Sequence, residues 1–205
     1  MEAAKLASDP YNLIITGVGG QGNVMASRVL GNLLARQGYF VTIGETFGAT
    51  QRGGSVMSHV RISSRGTWSP LIPKGKAHVV VALEPTEALR VLAEYGNPET
   101  RVLSNTRPIY SVGVICGEQN YPSREDLEKW MAEMTARYWF VNATEEAMRM
   151  GSPMFGNIIL IGALAATGLL PIEREAFGRV LAESLGPEKV ETNLAAYDKG
   201  FRMIA

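Results

Sequence analysis

The stretch that most constrains this chain is Leu13-Ile14-Ile15-Thr16-Gly17-Val18-Gly19-Gly20-Gln21-Gly22, with Asn23-Val24-Met25-Ala26-Ser27-Arg28-Val29-Leu30 behind it. A β-branched apolar run gives way to glycines, then to small and apolar residues at helical spacing. That order reads as strand, tight turn, helix. Gly17, Gly19 and Gly22 stand at the G-x-G-x-x-G spacing. Glycines there admit positive φ, expose bare backbone to a ligand, and let the helix sit close on the strand. The unpaired amides at the helix start carry partial positive charge. An anion, usually a phosphate, is therefore the expected guest of Gly17, Gly19, Gly20, Gln21 and Gly22. Glycine-rich first turns also occur in domains that bind nothing there, so the motif speaks for architecture before ligand. The architecture is α/β: a Rossmann-like, mostly parallel sheet flanked by helices.

After a first helix ending near Arg36, Tyr39-Phe40-Val41-Thr42-Ile43 reads as a second strand that stops at Gly44-Glu45. In a dinucleotide-binding unit an acidic residue here grips the ribose, and Glu45 has that position. A second polar loop then stands where the next helix of such a unit would begin, which argues against nicotinamide or flavin. Its residues Thr50, Gln51, Arg52, Gly53, Gly54 and Ser55 combine flexible backbone with hydrogen-bond donors. Two such loops after successive parallel strands open on one sheet edge, where ligands collect. The second loop is expected either to bind an anion or to enter a partner's active site. The plainer reading is a solvated hairpin with a surface arginine.

Val56 to Ile62 alternates apolar and polar residues, as in a strand with one wet face, so His59 is expected on a half-exposed face as scaffold. Ala77 to Leu83 is continuously apolar, as in a central parallel strand. Glu84, Pro85 and Glu87 suit the start of the helix that follows. Arg101 to Thr106 and Trp139 to Val141 read as strands. Ser111 to Cys116 reads as a short strand with Cys116 a small buried hydrophobe. Ser123-Arg124-Glu125-Asp126 has the capping-box pattern, with Leu127, Trp130, Met131 and Met134 on the apolar side of its helix. Gly151-Ser152-Pro153 marks the end of a core of about residues 11–150. A helical part of about 152–205 completes one domain spanning 1–205. Its first helix is apolar nearly all round and is expected to be buried against the sheet or a neighbouring subunit. Asn157 near its start is a candidate for catalysis or for close packing.

Lys plus Arg and Asp plus Glu each number 20, so no global positive field favours nucleic acid or an anionic membrane. The longest apolar run is too short to span a bilayer. The first ten residues do not resemble an export signal, and the cytoplasm is the expected compartment. The one cysteine, Cys116, excludes an internal disulfide and a four-thiolate iron–sulfur cluster supplied by this chain. His59 and His78 lack a metal-ligand pattern, and no metal site is expected. The chain has no nucleophile elbow, Walker A lysine, Cys-x-x-Cys or thiamine-binding Gly-Asp-Gly. It therefore reads as a binding or completing subunit, with no catalytic residue of its own beyond Arg52 as a candidate contact.

Gly17 to Gly22, the block Thr50 to Ile62 and Ala82-Leu83-Glu84-Pro85-Thr86-Glu87-Ala88-Leu89 together resemble the gamma-type domain of 2-oxoacid:ferredoxin oxidoreductases. Ser69 to Pro73, Asn105-Thr106-Arg107-Pro108-Ile109, Tyr121-Pro122-Ser123 and Asn193 to Gly200 match its indolepyruvate type, small-subunit branch. The resemblance implies a large alpha subunit bearing thiamine diphosphate, magnesium and 4Fe-4S clusters. The reaction it implies is oxidative decarboxylation of an aryl 2-oxo acid to an acyl-CoA, with electrons passed to ferredoxin. Coenzyme A is then a candidate guest of the first loop, and Arg52 a candidate contact for its phosphate or for the substrate carboxylate. Phenylglyoxylate- and pyruvate-type gamma subunits, and a stand-alone coenzyme-binding protein, are the alternatives. Asn23 departs from the aliphatic residue more usual after such a turn.

Overall fold

The structure is a computed structural model and describes residues 5–48 and 53–204. Six strands form one sheet: β1 (Tyr11–Val18), β2 (Phe40–Phe47), β3 (Ser55–Ser63), β4 (Val79–Ala82), β5 (Arg101–Asn105) and β6 (Arg137–Val141), in spatial order β2-β3-β1-β4-β5-β6. β1, β4, β5 and β6 run parallel, while β3 lies antiparallel between β1 and β2. The Rossmann-like sheet is therefore parallel through four strands, with a hairpin inserted beside the first.

Every residue of β1 is buried. Leu13 and Ile15 face α1 (Asn23–Arg36) and the C-terminal helices, while Ile14 faces α2 (Pro85–Tyr95) and α4 (Arg124–Met134). The helix after β1 thus covers one face of the sheet and the helix after β4 the other. The crevice at the carboxyl ends of these two neighbouring strands is the switch point at which open α/β sheets take their ligands.

Three local expectations are corrected. β3 is buried on both faces, His59 included. The connector after β3 lies over its polar residues. Arg61 donates to the carbonyls of Ser69 (3.0 Å) and Leu71 (3.4 Å) and stacks on Trp68, and His59 Nδ1 accepts from the Ile72 amide at 3.3 Å. Alternation here marks a polar face covered by backbone, not a wet one. Ser111–Cys116 is not a strand and joins none of the six in the sheet. Ser111 instead caps the short helix α3 (Val112–Ile115), and Cys116 at its end is exposed. Trp130 is also exposed, whereas Leu127 and Met131 of the same helix are buried. The capping box at Ser123 and Asp126 forms as expected.

Beyond α5 (Ala143–Arg149), the chain forms α6 (Gly156–Ala166), α7 (Arg174–Leu185) and α8 (Val190–Arg202). The apolar α6 is buried within this chain, between the sheet and α8. Two glycines let α6 and α8 touch backbone to backbone. A Cβ at Gly162 would strike the Tyr197 carbonyl oxygen, and one at Gly200 the Ile159 carbonyl oxygen. Glu84 caps α2 by accepting from the Glu87 amide at 2.9 Å, with Pro85 in the first turn. No helix among the described residues is long and apolar enough to cross a membrane.

Candidate functional site

β1 ends in a turn whose backbone depends on glycine, with φ of 104° at Gly20 and 85° at Gly22. Gly22 is the N-cap of α1 and offers no side-chain cap, so the first amides of that helix are left for other acceptors. A Cβ at Gly17 would lie 2.6 Å from Gln21 Oε1 and 3.0 Å from the Leu83 Cβ, so the close packing expected of this glycine is real. Gln21 spends its side-chain amide inside the chain. Its Oε1 accepts from the Val18 amide at 2.7 Å, and its Nε2 donates to the Leu83 carbonyl at 2.9 Å. The turn is thereby tied to the end of β4.

The two glycine loops come together. Gly19 N donates to the Gly54 carbonyl at 2.8 Å, and Gly53 N donates to the Gly19 carbonyl at 3.4 Å. Ser55 Oγ donates to Glu87 Oε2 at 2.6 Å, and the same oxygen accepts from Arg90 Nε at 2.9 Å. The Ser55 hydroxyl therefore anchors the loop to α2. Thr50, Gln51 and Arg52 lie outside the described residues. Glu45 sits on β2, which β3 separates from β1, so it stands two strand spacings, about 10 Å, from the strand that bears the first turn. Its neighbour is Arg28, at 3.7 Å. A ribose held between β1 and an adjacent acidic strand does not fit this topology.

Beside the turn lies a cavity of about 220 Å³. Gly20 and Gln21 form one side, Leu83 the floor, and the segment after β5 another side with Arg107 and Ile109; Met154 and the start of α6 close it. Among the described residues no carboxylate lines it. Asn157, 2% exposed, lines it too and donates from Nδ2 to the Gly22 carbonyl at 3.3 Å, while its Oδ1 has no partner. A Cβ at Gly22 would collide with that Nδ2. Asn23 contacts the turn from within α1: its Nδ2 reaches the Val18 carbonyl at 3.5 Å, and its Oδ1 is likewise buried and unpartnered. The unusual residue after Gly22 thus faces back onto the turn. A second, wider hollow on the other side of the turn, near 570 Å³, is lined by Gly19, Val24 and the exposed Phe47.

The segment carrying Arg107 is braced from beneath by Glu84, which is fully buried. Its carboxylate accepts from Thr86 Oγ1 (2.6 Å), Tyr121 OH (2.5 Å) and the Ile109 amide (3.4 Å), besides the Glu87 amide. Burial, and then the Glu84 carboxylate it donates to, push the Tyr121 hydroxyl well above the usual tyrosine range. Asn105, Arg107 and Thr144 were not singled out as site residues from sequence. Asn105 ends β5, Arg107 follows it and Thr144 follows β6, all at the carboxyl edge of the sheet, and that position is the signal that finds them. Among the described residues no three His, Cys, Asp or Glu side chains gather to hold a metal ion.

The glycine turn, the switch-point crevice and the second glycine loop share one edge of an open α/β sheet, the place at which such sheets take ligands. Residues 12–203 match the family model described as pyruvate ferredoxin/flavodoxin oxidoreductase, and the chain belongs to that family. It is 37% identical to the indolepyruvate oxidoreductase subunit IorB of Pyrococcus horikoshii, over 94% of this chain and 95% of that one. Among solved structures it resembles the pyruvate oxidoreductase subunit PORC of Thermotoga maritima, with a TM-score of 0.70, 20% identity, and coverage of 95% and 97%. It also resembles the 2-oxoglutarate:ferredoxin oxidoreductase of Magnetococcus marinus, solved with 2-oxoglutarate, coenzyme A and succinyl-CoA bound. The TM-score there is 0.74 at 21% identity, covering 96% of this chain and 31% of that one. The α/β fold read from the glycine turn is shared with these structures.

Proposed function

We propose that this chain is the small subunit of an aryl 2-oxoacid, indolepyruvate-type ferredoxin oxidoreductase, working in the cytoplasm beside a large alpha subunit. The observation that carries the reading is the joining of two glycine loops, Gly19 to Gly54 and Gly53 to Gly19, at the switch point of a chain with no reactive set of its own. The likeness to the Pyrococcus subunit over nearly the full length of both chains supports the indolepyruvate type. The single, exposed Cys116 cannot hold a 4Fe-4S cluster, so the clusters, thiamine diphosphate and magnesium are assigned to the partner. Thiamine supplies the carbanion chemistry of decarboxylation there.

This chain's own part is binding. The turn formed by Gly17, Gly19, Gly20 and Gly22 brings the uncapped first amides of α1 to a phosphate-bearing reactant, the Gly19 amide itself being held by Gly54, and coenzyme A, present in the Magnetococcus enzyme, is the one we assign. Gln21 holds the turn in shape through Val18 and Leu83. The second loop, with Thr50, Gln51, Arg52, Gly53, Gly54 and Ser55, is assigned to completing the partner's active site. Arg52 meets a phosphate or the 2-oxo acid's carboxylate, since a guanidinium suits both.

The test is to purify the tagged chain from its own cells, identify its companions by mass spectrometry, and assay acyl-CoA formation with ferredoxin. A large thiamine- and iron–sulfur-bearing partner, with activity on indolepyruvate lost when this chain is removed, is the expected result. A chain recovered alone, or a partner fully active without it, refutes the reading. Arg52→Ala in the complex should raise KM for coenzyme A or for the 2-oxo acid; unchanged values for both remove its role.

A further inference from the structure

The cavity beside the first turn carries a cation that the glycine-loop reading leaves unused. Arg107 lines it, is exposed, and makes no ion pair among the described residues. Among the described residues no carboxylate lines the same space. The rest of the wall is apolar in large part, with Leu83, Ile109, Met154 and Leu160 around a volume of about 220 Å³. An apolar slot with one cation at its side suits a flat ring system that carries a negative group. Asn157, nine-tenths buried at the start of α6, lines the same space, as do Gln21, Asn105 and Thr144.

The segment that bears Arg107 is also held more firmly than a surface loop requires. Pro108 restricts the backbone immediately after it. Two residues on, the Ile109 amide donates to Glu84 Oε1, and the Tyr121 hydroxyl donates to the same oxygen and so holds it in place beneath the segment. A fully buried carboxylate without a cationic partner is costly, and here its acceptor capacity is spent on backbone and hydroxyl donors that order this stretch.

We propose that Arg107 is the anion-binding side chain of this cavity, that Glu84 and Tyr121 are its positioning residues, and that the cavity takes a ring-bearing anion. Two reactants of the function proposed above share that chemistry: the phosphorylated adenosine end of coenzyme A and an aryl 2-oxo acid. The identity of the ligand rests on that reading; the role of Arg107 does not.

The experiment measures binding of adenosine 3′,5′-bisphosphate and of indole-3-pyruvate to the full chain by calorimetry, for the native protein, Arg107→Ala, Arg107→Lys and Tyr121→Phe. The same variants are then assayed in the reconstituted complex. One of the two anions should bind, about tenfold or more weakly to Arg107→Ala, with part of the loss restored in Arg107→Lys. Tyr121→Phe should weaken it a few-fold with the far-ultraviolet dichroism unchanged. In the complex, Arg107→Ala should raise KM for the matching reactant by more than it lowers kcat. Loss of bisphosphate binding assigns the cavity to the coenzyme, and loss of indole-3-pyruvate binding to the oxo acid. Affinities and both KM values unchanged in Arg107→Ala overturn the proposal, even in a fully active complex. A chain that has no partner but loses anion binding in Arg107→Ala overturns only the assigned function.

Discussion

Gly22→Ala puts the geometry of the turn to a quantitative test. Gly22 has a φ of 85°, and a left-handed alanine costs about 1–2 kcal/mol. Its Cβ would also collide with Asn157 Nδ2, and relieving a tight core overlap costs a further 1–3 kcal/mol or so. The sum is roughly 2–5 kcal/mol, a large part of the stability of a typical domain. Asn157→Ala alone should be nearly neutral. The Gly22 carbonyl keeps the Ala26 amide at 3.0 Å as a donor, and the unpartnered Asn157 oxygen disappears with the side chain. Its net effect should be about 0–1 kcal/mol. The double variant therefore recovers the overlap component and keeps the backbone component, a coupling of about 1–3 kcal/mol. Urea denaturation of the four proteins at equal m-value measures it. A cost below about 1 kcal/mol for Gly22→Ala, or strict additivity in the cycle, would refute the argument.

Further outcomes follow from other parts of the molecule. Glu84→Gln sets an amide NH2 among four donors and should lower stability by roughly 2–3 kcal/mol; an unchanged denaturation midpoint would mean that the brace does not form. Burial holds both His59 and His78 below their usual pKa of 6.5, so the folded chain favours the neutral rings. The unfolded chain takes up those protons first as pH falls through about 6.5, so stability is full above that pH and declines below it. His59→Gln should flatten the decline, as read by urea melts between about pH 7.5 and 5. Val112 and Ile115 are 76% and 72% exposed on α3, so changing both to Asp should shift the thermal midpoint little while weakening association with the large subunit. Co-elution undiminished by the pair of substitutions would remove α3 from that interface.

Much of the fold was legible because its signals are local. Glycine spacing marked the turn after β1, a continuous apolar run marked β4, and Ser123 with Asp126 marked the start of α4. What could not be read were features set by neighbours distant in sequence. His59 and Arg61 looked like a wet face because nothing in β3 reveals the connector that later covers it. Ser111–Cys116 has strand-like residues, but the Ser111 hydroxyl accepts from the Val114 amide and starts a helix there instead. At the site, the glycines of the first turn could be named from their spacing, and reading their strands as parallel put both loops on one sheet edge; that Gly19 and Gly54 bond to each other could not be read. The roles of Gln21 and Ser55 could not be foreseen, since their side chains bond to Leu83 and Glu87. Arg107 stood in a matched block, yet only the position of β5 brings it to the cavity.

The partners of the first turn also bear on the order in which the molecule is made. The β2–β3 hairpin closes locally, but Gln21 finds Leu83 across 62 residues and Gly22 finds Asn157 across 135. Chain closures over such spans carry the larger entropy cost and are slow relative to hairpins and helices. The glycine turn is therefore completed only once α6 has docked from 135 residues downstream. On a ribosome, that happens only after α6 (Gly156–Ala166) has emerged. A nascent chain with its sheet already formed still lacks the finished glycine turn.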